Sequence, residues 1–369
     1  MLAIVCFPAS ACHYSVALDP DSDLRLDELE DAPVPHKVRM SGDKKKLLDY
    51  VLELLTKLPE DEVRLAVREG RFIEEDGSSL RADSVLRFGQ VIHVRLDRAV
   101  ADDPFLPVPK RRLPILFEDE FLIGVNKPPG LLSYPIGPRR LSALSIVRRQ
   151  LQVRGCDDEL RPLHRIDRET SGVLIMARRL DADRVMKRAF KQRAVGKKYL
   201  ALVRGWVDPD EWTIDGAIGP DEGGPIRIKM AVREDGKPAQ TELRVLQRFG
   251  TRDWGSSGQG YTWVEVTPLT GRTHQIRLHL AHLGHPLIGD KIYCDDGVAF
   301  LRRWDGVMNR TDLERLEHRR HGLHALDLTF AHPMTGRQID LRAPIPEDLL
   351  EFTRERGGST LSLVEAVST

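Results

Sequence analysis

The chain has 369 residues, 41% of them hydrophobic, with 56 basic and 56 acidic side chains that cancel to zero net charge. This excludes a disordered polymer and leaves room for one large core plus an appended module. It also argues against a uniformly basic nucleic-acid binder, and no apolar run approaches the roughly 18 residues of a membrane span. The charge is unevenly spread, however. Asp19, Asp21, Asp23, Asp27, Glu28, Glu30 and Asp31 make an acidic N-terminal stretch. Arg184, Lys187, Arg188, Lys191, Arg193, Lys197, Lys198 and Arg204 form a run with no acid among them. A neutral total therefore hides a basic face of the kind a phosphate backbone needs, although a solvated helix would read the same way. The four cysteines, Cys6, Cys12, Cys156 and Cys294, have neither zinc nor redox spacing. They fit a reducing cytoplasm. The opening MLAIVCFPASAC lacks the basic region of a signal peptide.

In chain order, residues 1–40 read as an acidic tail. From 41 to 98 a small module follows. Leu47, Leu48, Val51, Leu54 and Leu55 recur at helical spacing, and Pro59 ends that helix. Glu60 to Glu69 is a second helix, stopped by Gly70. A strand, a turn at Asp76-Gly77 and a closing strand in GQVIHVRLD complete it. This order is similar to the small alpha-L RNA-binding domain first known from a small-subunit ribosomal protein. The likeness implies RNA contacts from Arg64, Arg68, Arg71, Arg81 and Arg87, but the acidic EEDG turn departs from that family's pattern. Residues 99–113, with their prolines, read as a linker. Residues 114–352 form the main body, and 353–369 read as a C-terminal tail.

The body opens with two short strands between Ile115 and Val125. Asn126 to Gly130 is expected to continue neither element, because Pro128 and Pro129 remove donors and fix φ. A helix is predicted over Leu141 to Leu151. Next comes PLHRIDRETSGVLIMA, in which Asp167 lies between Arg165 and Arg168 ahead of a buried-strand candidate, Val173 to Ala177. Flanking arginines keep a carboxylate ionised, which suits a nucleophile or base more than an acid. A structural ion cluster is the alternative. Thr170 and Ser171 are expected to hold the loop through backbone hydrogen bonds. Asp181 to Ala194 reads as a basic helix with Asp181 as N-cap and Gly196 as stop. In the strand that follows, Tyr199, Ala201 and Val203 share one face. Thr273 to Leu283 is a short helix with Ile276, Leu280 and Leu283 as its apolar stripe, Arg277 off that stripe and Gly284 as its end. His274, His279, His282 and His285 invite a metal reading, but there is no His-Glu-x-x-His pattern, no cysteine falls inside the block, and Gly284 breaks the helix between His282 and His285. Asp295 to His321 reads as a charged helical insertion, its EHRRHG either touching RNA or solvated. A hairpin turning at Pro333 to Gly336 closes the body.

HRIDRETSG resembles the signature loop of the RluA family of RNA pseudouridine synthases, with Ile166 for the usual Leu. KKYLALVRG is similar to that family's second motif, at Lys197, Tyr199, Ala201, Val203 and Gly205. LTGRTHQIRLHLAHLGHPLIGD is similar to its third, at Thr270, Gly271, Arg272, His274, Gln275, Ile276 and Arg277, and to the Gly-Asp tail that follows. The three blocks stand in the family's order. The resemblance implies an α+β fold: a mixed, mainly antiparallel sheet with a central cleft, plus the small N-terminal α/β module.

The implied activity is isomerisation of a flipped-out uridine in RNA to pseudouridine, with Asp167 catalytic, Arg277 its ion-pair partner and Tyr199 stacked on the base. Asp167 would attack carbon-1′ or carbon-6, or act as a base at carbon-2′. Arg165, Arg168, Arg184, Arg188, Lys197, Lys198, Arg272 and His274 are the expected RNA contacts. The reaction needs no redox step or group donor, so neither cofactor nor metal is expected, and a cytoplasmic monomer acting on ribosomal or transfer RNA is. The rival readings are a non-catalytic RNA-binding or chaperone protein that keeps the fold and a metal-dependent nuclease built on the histidines.

Overall fold

The computed structural model describes residues 34–38, 44–54, 60–74, 76–94, 112–135, 141–255, 258–304 and 308–368. The acidic stretch before residue 34 and most of the expected linker lie outside them.

The N-terminal module is built from β1 (Val34–Lys37), β2 (Lys44–Lys46), α1 (Leu47–Leu54), α2 (Glu60–Arg68), β3 (Phe72–Ile73), β4 (Val85–Arg87) and β5 (Val91–Val94). β1 pairs with β5, so the module starts by Val34, inside the stretch expected to be tail. The helical spacing read from sequence places Leu47 and Val51 in its core, with Val63, Val67, Phe72, Leu86 and Ile92.

The body contains β6 (Ile115–Glu118), β7 (Leu122–Lys127), α3 (Ala143–Val153), β8 (Arg161–Pro162), β9 (Ser171–Ala177), α4 (Leu180–Lys191), β10 (Gly196–Arg204), β11 (Glu211–Asp215), β12 (Ile218–Pro220) and β13 (Met230–Val232). It continues with β14 (Gln240–Gly255), β15 (Gly258–Pro268), α5 (Gln275–His282), α6 (Val298–Trp304), α7 (Arg310–Leu316), β16 (Leu323–Ala331), β17 (Gln338–Arg342), α8 (Glu347–Glu355) and α9 (Thr360–Ser368). One ten-stranded sheet runs β11-β14-β15-β10-β16-β9-β7-β6, with β17 added to β16 and β8 to β9. Its pairs are antiparallel except β16 with β9. This is the mixed, mainly antiparallel α+β sheet expected.

The parallel pair positions the site. His324 lies opposite Ser171 and Ala325 opposite Gly172 on one side of β16, while Ala325 also faces Tyr199 of β10 on the other. The loop carrying Asp167 thus enters the sheet one strand away from the strand carrying Tyr199. Gly172 makes the approach possible: its φ is 113°, and a Cβ there would stand 2.0 Å from the Ala325 carbonyl oxygen. On the face of β10 that carries Tyr199, Ala201 and Val203, the predicted stripe of α5, Ile276 and Leu280 with Leu283, packs into a common core.

Several sequence expectations are corrected. β7 extends through Asn126 to Lys127 because the first proline of the Pro-Pro pair follows the last strand residue. α4 begins after an extended Arg179 that makes no side-chain cap, so Asp181 lies in the first turn. The helix stops before Arg193, which takes a left-handed φ of 60°, and Gly196 instead opens β10. Of the expected tail 353–369, the described residues, 353–368, complete α8 and form α9. Leu363 and Val367 are buried against Trp263, Tyr261 and Phe352. The insertion is helical as expected, but its EHRRHG end is not a solvated loop. Arg320 and His321 are buried, and Arg320 clasps Asp348 through Nε at 2.6 Å and Nη2 at 2.9 Å. Among the described residues, no helix is long and apolar enough to cross a membrane.

Candidate active site

A cleft of about 570 Å³ opens between the Asp167 loop, the start of β10 and the start of α5. Asp167 and Arg277 meet at its floor. Arg277 Nη1 donates to Asp167 Oδ2 at 2.9 Å. The rest of the guanidinium is gripped by Asp290, with Nε to Oδ2 at 2.7 Å and Nη2 to Oδ1 at 2.8 Å. Asp290 Oδ1 in turn accepts the backbone N–H groups of Ile292 at 3.0 Å and Tyr293 at 3.1 Å. Asp290 is wholly buried and Arg277 nearly so. The arginine can turn neither away from nor further towards Asp167, whose Oδ1 makes no hydrogen bond among the described residues. Such charge-assisted, two-pronged contacts fix geometry as well as energy.

Burial by itself would raise the Asp167 pKa, but Arg277 overcomes this and holds the carboxyl below its ordinary range. The two arginines next to it in sequence are engaged elsewhere. Arg168 Nε donates to the Gly130 carbonyl at 2.9 Å, and the Arg165 guanidinium lies 5.9 Å from the Tyr134 ring centroid. Asp167 is therefore paired by a distant arginine and not by its flanking ones. Tyr199 lines the same cleft. Burial first, and the Asp167 charge second, push its hydroxyl above the usual phenol range, so it is protonated at neutral pH.

The loop is braced from behind. Lys127 is fully buried and points its ammonium at three carbonyls, Pro128 and Leu131 at 2.8 Å and Arg168 at 3.1 Å. It thereby ties the Pro-Pro-Gly turn to the Asp167 loop. Burial lowers its pKa well below the ordinary value. Glu169 receives Lys291 at 2.9 and 3.1 Å and Arg303 of α6 at 3.0 Å, which links the loop to the insertion. Thr170 and Ser171 bond to histidines and not to backbone: Thr170 Oγ1 lies 2.7 Å from His321 Nε2 and Ser171 Oγ 2.9 Å from His324 Nδ1. His164 Nε2 accepts the Ile175 N–H at 3.1 Å, and its ring stacks on Phe190.

Of the residues expected at the site, the cleft brings together Asp167, Tyr199, Arg277, Arg165, Lys197, Arg272 and His274. Lys191 and Arg193 join them, and Asp167 is the one acid among the lining residues. Four expected residues are placed elsewhere. Arg168 is turned into the loop, Lys198 pairs with Glu265 at 3.1 Å, and Arg184 and Arg188 lie exposed on α4 beyond the cleft lining. The histidines of the third block are held apart. His279 bonds Thr241 and the Gly216 carbonyl, each at 2.9 Å, His285 bonds the Arg204 carbonyl at 2.9 Å, and His274 faces the cleft. In the N-terminal module Arg64 is tied to Glu60 and Arg71 to Glu69. Sequence reasoning missed Asp290, Lys127 and the Glu169–Lys291 pair. The Gly289-Asp290 step and a lysine ahead of Pro-Pro-Gly were the available signals.

The sequence model of the RNA pseudouridylate synthase family matches residues 122–282, a span holding Asp167, Tyr199 and Arg277. An uncharacterized RNA pseudouridine synthase of Chloroflexus aurantiacus is 36% identical over 297 residues, 80% of this chain and 84% of the relative. The ribosomal large subunit pseudouridine synthase D of Xanthomonas campestris is 34% identical over 277 residues, 74% of this chain and 78% of its own. The solved structure of human RNA pseudouridylate synthase domain containing 1 superposes with a TM-score of 0.53 at 27% identity, covering 70% of this chain and 95% of that one. With the fold, the order of its motifs and relatives alike along most of their length, the chain belongs to the RluA-type family of RNA pseudouridine synthases.

Proposed function

We propose that this enzyme converts uridine to pseudouridine in ribosomal RNA, with Asp167 as the catalytic carboxylate acting on a uridine flipped into the cleft. The observation that carries the reading is the clamp on Asp167. A carboxylate with one oxygen fixed by a buried Arg277, itself locked by Asp290, is kept ionised with its other oxygen free. Attack on the ribose, attack on the base and proton abstraction from the ribose each require that ionised form. Tyr199, protonated and on the cleft wall, offers a ring for the base to stack on and a hydroxyl to hydrogen-bond with. Arg165, Lys191, Arg193, Lys197 and Arg272 make the approach cationic, as a phosphate chain requires. A uridine stacked in a helix cannot reach the cleft floor, which argues for flipping. Ribosomal RNA is favoured over transfer RNA by the names of relatives such as the large-subunit synthase of Xanthomonas campestris.

Asp167→Asn is expected to abolish tritium release from carbon-5-labelled uridine RNA while RNA binding persists. Full activity of that variant would remove Asp167 from the chemistry. Mapping pseudouridines in cells with and without the gene assigns the RNA, and loss of a site in transfer RNA alone would overturn the ribosomal assignment.

A further inference from the structure

His274 has an unusual place. It precedes α5 with φ 57° and ψ 18°, the left-handed region that L side chains seldom adopt, and its side chain makes no capping hydrogen bond there. The helix therefore gains no cap from this conformation. Instead, the imidazole is turned into the cleft beside Asp167.

The ring is oriented by Tyr293. His274 Nδ1 lies 3.1 Å from the Tyr293 hydroxyl, and that hydroxyl accepts the Met230 N–H at 3.0 Å. Among the described residues, Nδ1 is the one hydrogen-bond acceptor for the phenol proton. Burial raises the Tyr293 pKa, so the phenol keeps this proton. In the tautomer where Nδ1 accepts this proton, Nε2 carries the imidazole proton. Nε2 stands 3.9 Å from Asp167 Oδ2, too far for a hydrogen bond, and has no other partner among the described residues. A nearly buried N–H donor is thereby set next to a carboxylate already engaged by Arg277.

We propose that His274 donates this Nε2–H to a carbonyl oxygen of the target uracil, and that Tyr293 is the positioning residue that fixes the donor tautomer. The proposal rests on the reading that the cleft receives the uracil beside Asp167. Uracil presents two carbonyl acceptors. When the bond from nitrogen-1 to carbon-1′ breaks, its electron pair spreads over the ring onto both carbonyl oxygens. The charge is discharged once carbon-5 has bonded to carbon-1′, the carbon-5 proton has left and nitrogen-1 has gained a proton. A fixed neutral donor tightens its bond as that charge grows, which is the kind of contact that favours the transition state over the ground state. Burial lowers the His274 pKa to about 4, so the ring acts as a hydrogen-bond donor and not as a proton source.

The test uses single-turnover tritium release from carbon-5-labelled RNA isolated from cells lacking the gene. His274→Leu is expected to slow conversion about 30-fold or more with RNA affinity unchanged, whereas His274→Gln, which keeps a donor, stays within about fivefold of wild type. Tyr293→Phe is expected to slow the wild type about fivefold but His274→Gln by less than about twofold, since an amide has no tautomer to fix. Wild-type rates in His274→Leu, a His274→Gln as slow as the leucine variant, or an equal Tyr293→Phe loss in both backgrounds overturns the proposal. Should His274→Leu fail to fold by thermal melting, the Tyr293→Phe comparison decides. Asp167→Asn in the same assay separates the two levels. An inactive Asp167→Asn beside an unaffected His274→Leu rejects the His274 role alone, and an active Asp167→Asn rejects the reading of the cleft.

Discussion

Asp290 holds Arg277 through Nε and Nη2, which leaves Nη1 alone to meet Asp167. The guanidinium is shared between two carboxylates, so the buried trio carries one net negative charge at the floor of a cationic cleft. Without the Asp290 charge, Arg277 still balances Asp167, so no charge is stranded; what is lost is the two-pronged, charge-assisted grip on the guanidinium. Asp290→Asn keeps the volume but not the charge, and it leaves Arg277 free to swing. The expected outcome is a drop in kcat of about 100-fold with little change in KM, because Asp290 is buried away from any phosphate. The melting temperature should also fall. Steady-state kinetics against an RNA substrate decides it, and a rise in KM at constant kcat would place Asp290 in binding instead. The Gly289-Asp290 step stood out in the sequence, but its contact with Arg277 did not. Arg277 and Asp290 are separated by a helix end, a glycine turn and a short extended stretch, and only the fold sets that turn so that the two side chains meet.

Among the elements, the ones the sequence revealed are those with strong local signals. The stripe of Ile276, Leu280 and Leu283, the alternation of Tyr199, Ala201 and Val203, and the hairpin turn at Pro333 to Gly336 all carry their period or their turn residues openly. Capping was less legible. Arg179 caps α4 by backbone conformation alone and so offers no residue-type signal, which shifted the reading to Asp181. The C-terminal helix was lost for a different reason. α9 is short and carries exposed Leu361 and Val364 alongside buried Leu363 and Val367, so its apolar residues do not define one face. Its docking partner is supplied by strands far away in the chain. Leu363 is fully buried against this sheet core, with Trp263 and Phe249 in the same cluster. Truncating such a side chain removes its transfer energy and leaves a cavity, so Leu363→Ala is expected to cost about 2–5 kcal/mol. Chemical denaturation measures it. A loss below about 0.5 kcal/mol would show that α9 does not contribute to the core.

Across the whole molecule, acid should act first through histidines. His321 and His324 are almost completely buried, and burial lowers each pKa to about 3. In the unfolded chain a histidine titrates near its ordinary value of about 6.5. Below that pH the unfolded state takes up protons that the folded state refuses, so stability falls as the pH drops from about 6.5 towards 3. At pH 5 each histidine would cost on the order of 2 kcal/mol relative to neutral pH. The carboxylates have the same sign in a lower window. Asp167 and Asp290 are held below their ordinary range and Glu169 is lowered to about 2, in each case because nearby cations outweigh burial. Their contribution is present above the unfolded carboxylate pKa of about 4 and disappears as the pH falls through the folded values. These histidines and carboxylates meet at the junction of the Asp167 loop with β16, so acid stability and the integrity of the site are coupled. The melting temperature should therefore decline steadily between pH 7 and pH 5, before the carboxylates begin to titrate. His324→Gln should flatten that slope, because an amide keeps hydrogen-bonding capacity towards Ser171 but takes up no proton in the unfolded chain. A melting temperature independent of pH over this interval, or an unchanged slope in His324→Gln, would contradict the assignment of acid sensitivity to these buried neutral rings.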